Sequence, residues 1–327
     1  MSIIRTKILG TGGYLPEQIV TNHDLEKIVD TSNEWIVQRS GIHERRKIAD
    51  HQTTSDLGGA AALQAIESAG IDKNQIDMII CATTTPDLIF PSTASIIQRK
   101  LGIDNLCPAF DVQAVCAGFM FAMNIANQYI QTQSAKYILV VGAESLTRIL
   151  DYSDRTSCVL FGDGAGAMIL GGVSGTGDNQ DTGILSSILH TNGTLTDILK
   201  CGGGAGTHNL PFGYLQMNGP EVFKTAVTYL GDVMHETLNA VGLTGQDLDF
   251  IVPHQANGRI MDATAKKINA PEGCLVSTIA YHGNTSAASI PLAFDVAVRD
   301  GRIQSGHLVL MEAIGGGISW GGCLVRM

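Results

Sequence analysis

The chain has 327 residues, 44% of them hydrophobic and 16% charged, with 38 glycines and a formal net charge of -10. This composition supports a large buried core and excludes a disordered chain. The charge weighs against nucleic acid as the main partner, because phosphate binding needs a basic surface.

From the N-terminus, Gly10, Gly12, Gly13 and Pro16 interrupt the segment where a secretory signal would need an apolar stretch. No apolar run approaches the roughly 18 residues of a membrane span, so a cytoplasmic protein without membrane contact is expected. Strands are predicted at residues 7–10, 78–83, 109–112, 137–142, 159–161, 167–170, 250–253, 275–278, 308–313 and 322–326. Helical patterns such as 55–69 and 119–131 lie between them. Alternating strands and helices imply an α/β fold with a largely parallel buried sheet. The chain also repeats itself. Asp77-Met-Ile-Ile-Cys81 leads through Cys116 to Tyr137-Ile-Leu-Val-Val141 and a glycine-rich run. Asp249-Phe-Ile-Val-Pro253 leads through Asn284 to His307-Leu-Val-Leu-Met311 and another. Two similar halves, 1–172 and 173–327, are expected, joined near 172–182.

Two motifs mislead. Gly162-Asp-Gly-Ala-Gly166 would have to feed a helix to bind a dinucleotide; a strand follows it, so a tight turn is expected. Gly317-Ile-Ser319-Trp-Gly321 has the spacing of a serine nucleophile elbow, but no histidine follows it and only six residues remain. The seven cysteines, at 81, 107, 116, 158, 201, 274 and 323, form no Cys-x-x-Cys pair. Neither a disulfide framework nor a metal site is expected.

Three segments carry chemistry together. In Asp111-Val-Gln-Ala-Val-Cys116-Ala-Gly118, a strand runs into a cysteine at the start of an apolar helix, where the helix N-terminus would lower the thiol pKa. Taken alone, such a cysteine is more often inert packing. Pro253-His254-Gln255-Ala256-Asn257 puts a histidine just past a buried strand, where α/β folds present ligand-binding groups, or where a structural histidine could sit. His282-Gly-Asn284-Thr-Ser-Ala-Ala-Ser289 reads as a turn and helix cap. Together they form a Cys/His/Asn set, with a nucleophile and donors for a developing oxyanion. A papain-like protease shares that order, but its signature around the cysteine is absent.

With these segments, Gly10-Thr-Gly-Gly-Tyr-Leu-Pro16, Asp30-Thr-Ser-Asn-Glu-Trp-Ile36, Arg39-Ser-Gly-Ile42 and Gly315-Gly-Gly317, the whole chain resembles the thiolase-like condensing enzymes of the β-ketoacyl-[acyl-carrier-protein] synthase III family. The resemblance implies a duplicated five-layer α-β-α-β-α fold and a homodimer. It also implies decarboxylative condensation of acetyl-CoA with malonyl-[acyl-carrier protein], initiating type II fatty acid synthesis, with no cofactor beyond these substrates. It implies Cys116 as the acyl acceptor, His254 and Asn284 as donors to the malonyl thioester, and the N–H groups of Cys116 and Gly316 as the acyl-transfer oxyanion hole. Trp35, Arg39, Arg155, Gly219 and Phe223 become CoA contacts, and Phe90 the closure of a short acyl pocket across the dimer. Arg259, Lys266 and Lys267 become contacts for the acidic carrier protein. Ala313 replaces the second cysteine of degradative thiolases, which favours decarboxylative chemistry. Pro220 and the glycine-rich stretch Cys201–Gly206 depart from the family pattern. A secondary-metabolite acyltransferase using a non-acetyl donor is the alternative.

Overall fold

The computed structural model describes residues 3–203 and 213–327. In chain order the first half contains β1 (Ile3–Tyr14), β2 (Gln18–Thr21), α1 (Asn22–Leu25), α2 (Asn33–Ser40), β3 (Glu44–Lys47), α3 (Thr54–Ala69), β4 (Met78–Ala82), α4 (Thr93–Leu101), β5 (Ala109–Val112), α5 (Gly118–Gln131), β6 (Tyr137–Ser145) and β7 (Asp163–Gly175). The second contains β8 (Gly183–Thr191), β9 (Leu199–Cys201), β10 (Leu215–Met217), α6 (Gly219–Asn239), β11 (Phe250–Pro253), α7 (Gly258–Lys267), α8 (Ile279–His282), α9 (Ser289–Arg299), β12 (Leu308–Gly315) and β13 (Ser319–Arg326).

Two sheets share one strand order. The first runs β1-β7-β6-β4-β5; the second runs β8-β13-β12-β11, continued by a parallel bridge from Ile251 to Leu275. The agreement reaches single residues. Asp77 accepts the N–H of Tyr137 at the start of β6 (3.0 Å), and Asp249 accepts the N–H of Leu308 at the start of β12 (2.7 Å). Val115–Ala117 and Ser286–Ala288 each form a 3-10 turn whose first residue has φ +49°, and the turns feed α5 and α9 respectively.

The apolar faces dictate the layers. Phe119, Met120 and Met123 of α5 and Ile290, Ala293 and Phe294 of α9 share one core with Ile80, Val140 and Met168 of the first sheet and Val252, Met311 and Val325 of the second. Both helices are therefore sandwiched between the sheets. Phe119 and Phe294 are fully buried, each contributing about 1.5–3 kcal/mol of transfer energy. The outer face of the first sheet packs against α3 and α4 through Leu57, Ala61 and Ile97. The outer face of the second packs against α6 through Met234 and Leu238. The order is helix, sheet, helix, sheet, helix.

Some sequence expectations are corrected. Residues 162–166 do not turn: Asp163 to Gly175 is one strand. Its glycines serve close packing, since a side chain on Gly166 would lie 2.6 Å from the Leu292 nitrogen and 2.7 Å from the Pro291 carbonyl carbon, at the start of α9. Residues 159–161 form a turn, of which only Phe161 bridges, to Asn284. Of 275–278, only Leu275 pairs. The expected division at 172 falls inside β7, whose final residue Gly175 pairs with Ile3; the connection to β8 runs through 176–182. Residues 204–206 of the glycine-rich stretch lie outside the described residues.

Candidate active site

Cys116 occupies the 3-10 turn between β5 and α5. Only a glycine can stand opposite it at the end of β12: a side chain on Gly315 would lie 2.6 Å from the Cys116 nitrogen and 2.8 Å from the Ala114 oxygen. The cysteine is buried. That burial pushes its thiol up to about 12, a hydrogen bond with Ser286 pulls it back in part, and the charge of Glu144 raises it further. Burial therefore works against the lowering expected from the helix N-terminus. The cysteine precedes the Ala117 N-cap of α5, and desolvation dominates.

His254 follows β11, and its N–H donates to the Glu312 oxygen of β12 (2.7 Å). Its ring is buried, which holds the imidazole down at about 3 and therefore neutral at physiological pH. Nδ1 lies 2.7 Å from Ser289 Oγ, the first residue of α9. Asn284 is held by its backbone, with N–H to the Leu160 oxygen (2.9 Å) and its own oxygen accepting from Gly162 (3.0 Å). Its Oδ1 accepts the Ser286 N–H at 2.9 Å, which leaves the side-chain NH₂ without a protein acceptor among the described residues. One short segment thus serves all three: Ser289 lies against the His254 ring, Asn284 opens the turn, and the Ser286 hydroxyl lowers the Cys116 thiol against its burial. Gln255 braces the approach, accepting the N–H groups of Thr278 (2.8 Å) and Ile279 (3.1 Å).

A cavity of about 830 Å³ adjoins this site. Val115, Gly316, Gly317, Leu146, Leu199 and Leu215 line it, as do Leu88 and Ile89. Phe90 is 82% exposed and is not among the lining residues, so within one chain it does not close the cavity.

The expected CoA contacts cluster. Ser32 caps α2 by accepting the Trp35 N–H (3.1 Å), and Trp35 carries the guanidinium of Arg39 at 4.6 Å and that of Arg155 at 5.2 Å from its ring centroid. Arg155 is also anchored to the Asp30 carbonyl (3.0 Å). Asn257 caps α7 and donates to the Arg39 carbonyl (2.8 Å), joining the tryptophan cluster to the helix that carries the basic residues. Arg259 lies over the ring of Phe223 at 5.5 Å, which brings one expected carrier-protein contact onto one expected CoA contact. Gly219 and Pro220 open α6. Proline in that first turn removes no ladder hydrogen bond. Lys267 departs from the grouping with Arg259 and Lys266: its ammonium pairs with Asp232 (2.7 Å) and the Thr228 carbonyl (3.0 Å) on α6.

Ser286, Ser289 and Glu144 were not singled out for this site from the sequence. The two serines sit in the run read as a helix cap, and nothing local to Glu144 or His254 indicates their distant partners.

Known proteins agree with this arrangement along the chain. Residues 110–193 match the family model described as 3-oxoacyl-[acyl-carrier-protein (ACP)] synthase III, and residues 238–327 match that of its C-terminal part. Proteins named beta-ketoacyl-[acyl-carrier-protein] synthase III are similar throughout. That of Thiobacillus denitrificans is 52% identical over 98% of this chain and 99% of its own length. That of Laribacter hongkongensis is 54% identical over 98% of each. The crystal structure of 3-oxoacyl-[acyl-carrier-protein] synthase III from Aquifex aeolicus superposes with a TM-score of 0.91 at 43% identity, covering 98% of this chain and 100% of the other. The priming beta-ketosynthase of the R1128 polyketide pathway superposes at 0.92 with 35% identity, covering 98% and 96%. A buried cysteine, histidine and asparagine gathered at the seam of two matching sheets, with this full-length similarity, place the chain in the 3-oxoacyl-[acyl-carrier-protein] synthase III family of thiolase-fold acyltransferases.

Proposed function

We propose that the protein joins a short acyl group, acetyl from acetyl-CoA, to malonyl-[acyl-carrier protein] and so begins type II fatty acid synthesis. The full-length similarity at 52–54% identity to proteins named for that synthase is the observation that carries this reading. Cys116 takes the acyl group, and CoA leaves. The N–H groups of Cys116 and Gly316 bind the oxyanion of that transfer. Malonyl-carrier protein then enters, and its thioester oxygen accepts hydrogen bonds from His254 and from the Asn284 NH₂. Negative charge builds on that oxygen as carbon dioxide departs, so donors placed there lower the barrier. The carbanion attacks the acyl-cysteine. A neutral histidine suits this role, and burial keeps His254 neutral.

The first half supplies the nucleophile and the second half the histidine and asparagine. Trp35, Arg39, Arg155, Gly219 and Phe223 hold CoA; Arg259 and Lys266 receive the acidic carrier protein. Leu88, Ile89 and Phe90 form an exposed apolar stretch, which supports a homodimer in which Phe90 reaches across to limit acyl length. The site works without a bound cofactor, and no described helix is long and apolar enough to cross a membrane, which fits a cytoplasmic enzyme. The priming ketosynthase likeness keeps a non-acetyl donor as the second reading, at lower identity.

Intact-protein mass spectrometry with a panel of acyl-CoAs tests this. An acetyl adduct on wild type but not on Cys116→Ala, discharged by malonyl-carrier protein, is expected. An adduct only from aromatic or long acyl groups would select the second reading, and no adduct at all would end both.

A further inference from the structure

The segment Thr83-Thr-Thr-Pro-Asp87-Leu-Ile-Phe90-Pro-Ser92 joins β4 to α4, polar at both ends and apolar between. Its ends are fastened. On the β4 side the Thr84 hydroxyl donates to Glu144 Oε1 (2.9 Å) and the Thr85 hydroxyl to Oε2 (2.5 Å). Thr54, the first residue of α3, donates its hydroxyl to the Thr85 carbonyl (2.6 Å). Asp87 takes the next residue of α3: its Oδ1 accepts the Ser55 N–H (2.8 Å) and its Oδ2 the Ser55 hydroxyl (2.5 Å). A carboxylate on an N–H that the helix itself cannot use is a favourable anchor. On the α4 side, Asp111 of β5 accepts the N–H groups of Thr93 (2.6 Å) and Ala94 (2.8 Å).

Between these anchors, residues 88–91 make no backbone hydrogen bond among the described residues. Pro86 and Pro91 flank the tip and restrict its backbone. Leu88, Ile89 and Phe90 are exposed all the same. A short apolar tip clamped at both feet is presented outward rather than folded away. The cavity beside Cys116 holds about 830 Å³, the room of a drug-sized ligand and far more than an acetyl group needs. A preference for short acyl groups therefore requires that part of it be filled. Leu88 and Ile89 line the cavity of their own chain and Phe90 does not, which leaves that ring for a second copy.

We propose that Asp87 is a specificity-determining positioning residue, which docks the 88–91 tip on α3 and so sets how far Phe90 enters the partner's cavity and how long an acyl group Cys116 accepts. The proposal rests on the reading that Phe90 closes the acyl pocket across a homodimer, and deepens it. Asp87 is the anchor nearest the ring on the β4 side, three residues away, with only Leu88 and Ile89 between. Without its two hydrogen bonds that foot is held only as far as Thr85, and the ring can withdraw. Asp111 acts on the opposite foot, where the helical bonds of α4 already hold the chain.

The test is the ratio of Cys116 acylation rates from hexanoyl-CoA and acetyl-CoA, read by intact-protein mass spectrometry. Phe90→Ala and Asp87→Ala are each expected to raise that ratio on the order of tenfold. Asp87→Asn keeps one acceptor oxygen and should fall between Asp87→Ala and wild type. Ser55→Ala keeps its N–H but loses the hydroxyl donor, so it should raise the ratio less than Asp87→Ala; it carries the comparison if the Asp87 variants do not fold. The double variant Asp87→Ala/Phe90→Ala should go no further than Phe90→Ala alone, because an absent ring cannot be misplaced. Sedimentation at the assay concentration follows the dimer. A ratio that stays at the wild-type value in folded Asp87→Ala, both rates falling together, overturns the proposal while a raised ratio in Phe90→Ala leaves the reading of Phe90 standing. Full additivity in the double variant overturns it as well, as does a raised ratio only in variants that have become monomers. An unchanged ratio in Phe90→Ala would overturn the reading of Phe90 and the proposal with it.

Discussion

Ser289 Oγ lies 2.7 Å from Nδ1 of His254 and 3.3 Å from the N–H of Gln255, which donates to it. With that amide already pointing at the oxygen, the serine hydrogen is free to point at the ring. Nε2 then carries the imidazole proton, the tautomer a donor to the malonyl thioester needs. Ser289→Ala is expected to slow condensation on the order of tenfold while leaving acylation by acetyl-CoA unchanged. Nitrogen NMR of His254 should show the tautomer mixture shifting. Equal loss in both half-reactions would remove this role.

Trp35 between Arg39 and Arg155 is a platform prepared by the protein itself. Trp35→Ala is expected to raise KM for acyl-CoA about fivefold, the worth of roughly 1 kcal/mol, with kcat near wild type. Initial-rate kinetics at varied acetyl-CoA checks this.

The basic residues of α7 should divide. Arg259→Glu and Lys266→Glu are expected to raise KM for malonyl-carrier protein several-fold, more at low salt than at high salt, and to spare acylation. Lys267→Ala is expected to change carrier-protein KM little, because its charge is already spent on Asp232. A Lys267 effect as large as that of Arg259 would return it to the docking surface.

Gly315→Ala is expected to abolish acylation and lower Tm, since the new methyl would overlap the Cys116 nitrogen and the Ala114 oxygen. Overpacking of this kind costs about 1–3 kcal/mol or more. A fully active variant would show that the Cys116 turn can move without loss of function.

Two buried histidines and the buried Glu312 contribute to the pH limits of stability. Burial lowers His254 to about 3 and His282 to about 4, so the folded state resists protons that the unfolded chain binds below about 6.5. Their stabilisation is complete above that value and is lost as pH falls toward 3–4. Glu312 acts in the opposite sense: burial raises it to about 8, and Oε2 has no partner among the described residues. Its contribution is present below its ordinary value and is lost as pH rises through about 8. Tm should therefore decline on both sides. His282→Asn should flatten the acid slope and Glu312→Gln the alkaline one, each measured by thermal melts across pH.

The repeat was readable because Asp77 and Asp249 open equivalent strands and glycine-rich runs follow equivalent ones. The catalytic set was readable because Cys116, His254 and Asn284 stand in specific local motifs. What escaped was long-range. No periodicity distinguishes glycines that turn from glycines against which a helix packs, so the sequence pattern suggests a turn at 162–166 where Gly166 instead makes room for α9. The α7 spacing put Lys266 and Lys267 together, but only the packing of α6 reveals Asp232 beside the second. The shift of the Cys116 thiol depends on burial by two halves of the chain, whereas the sequence displays only the helix start.

The apolar layer of α5 and α9 has a historical corollary. Each helix is covered by a sheet from both halves, so a lone half would leave Phe119 and Met120, or Ile290 and Phe294, facing water. An ancestor of half this length could have hidden that face against a second copy of itself. Its two copies of the present Cys116 and Ala287 position would then have been identical, and fusion into one chain would have freed one of them to stop being a nucleophile.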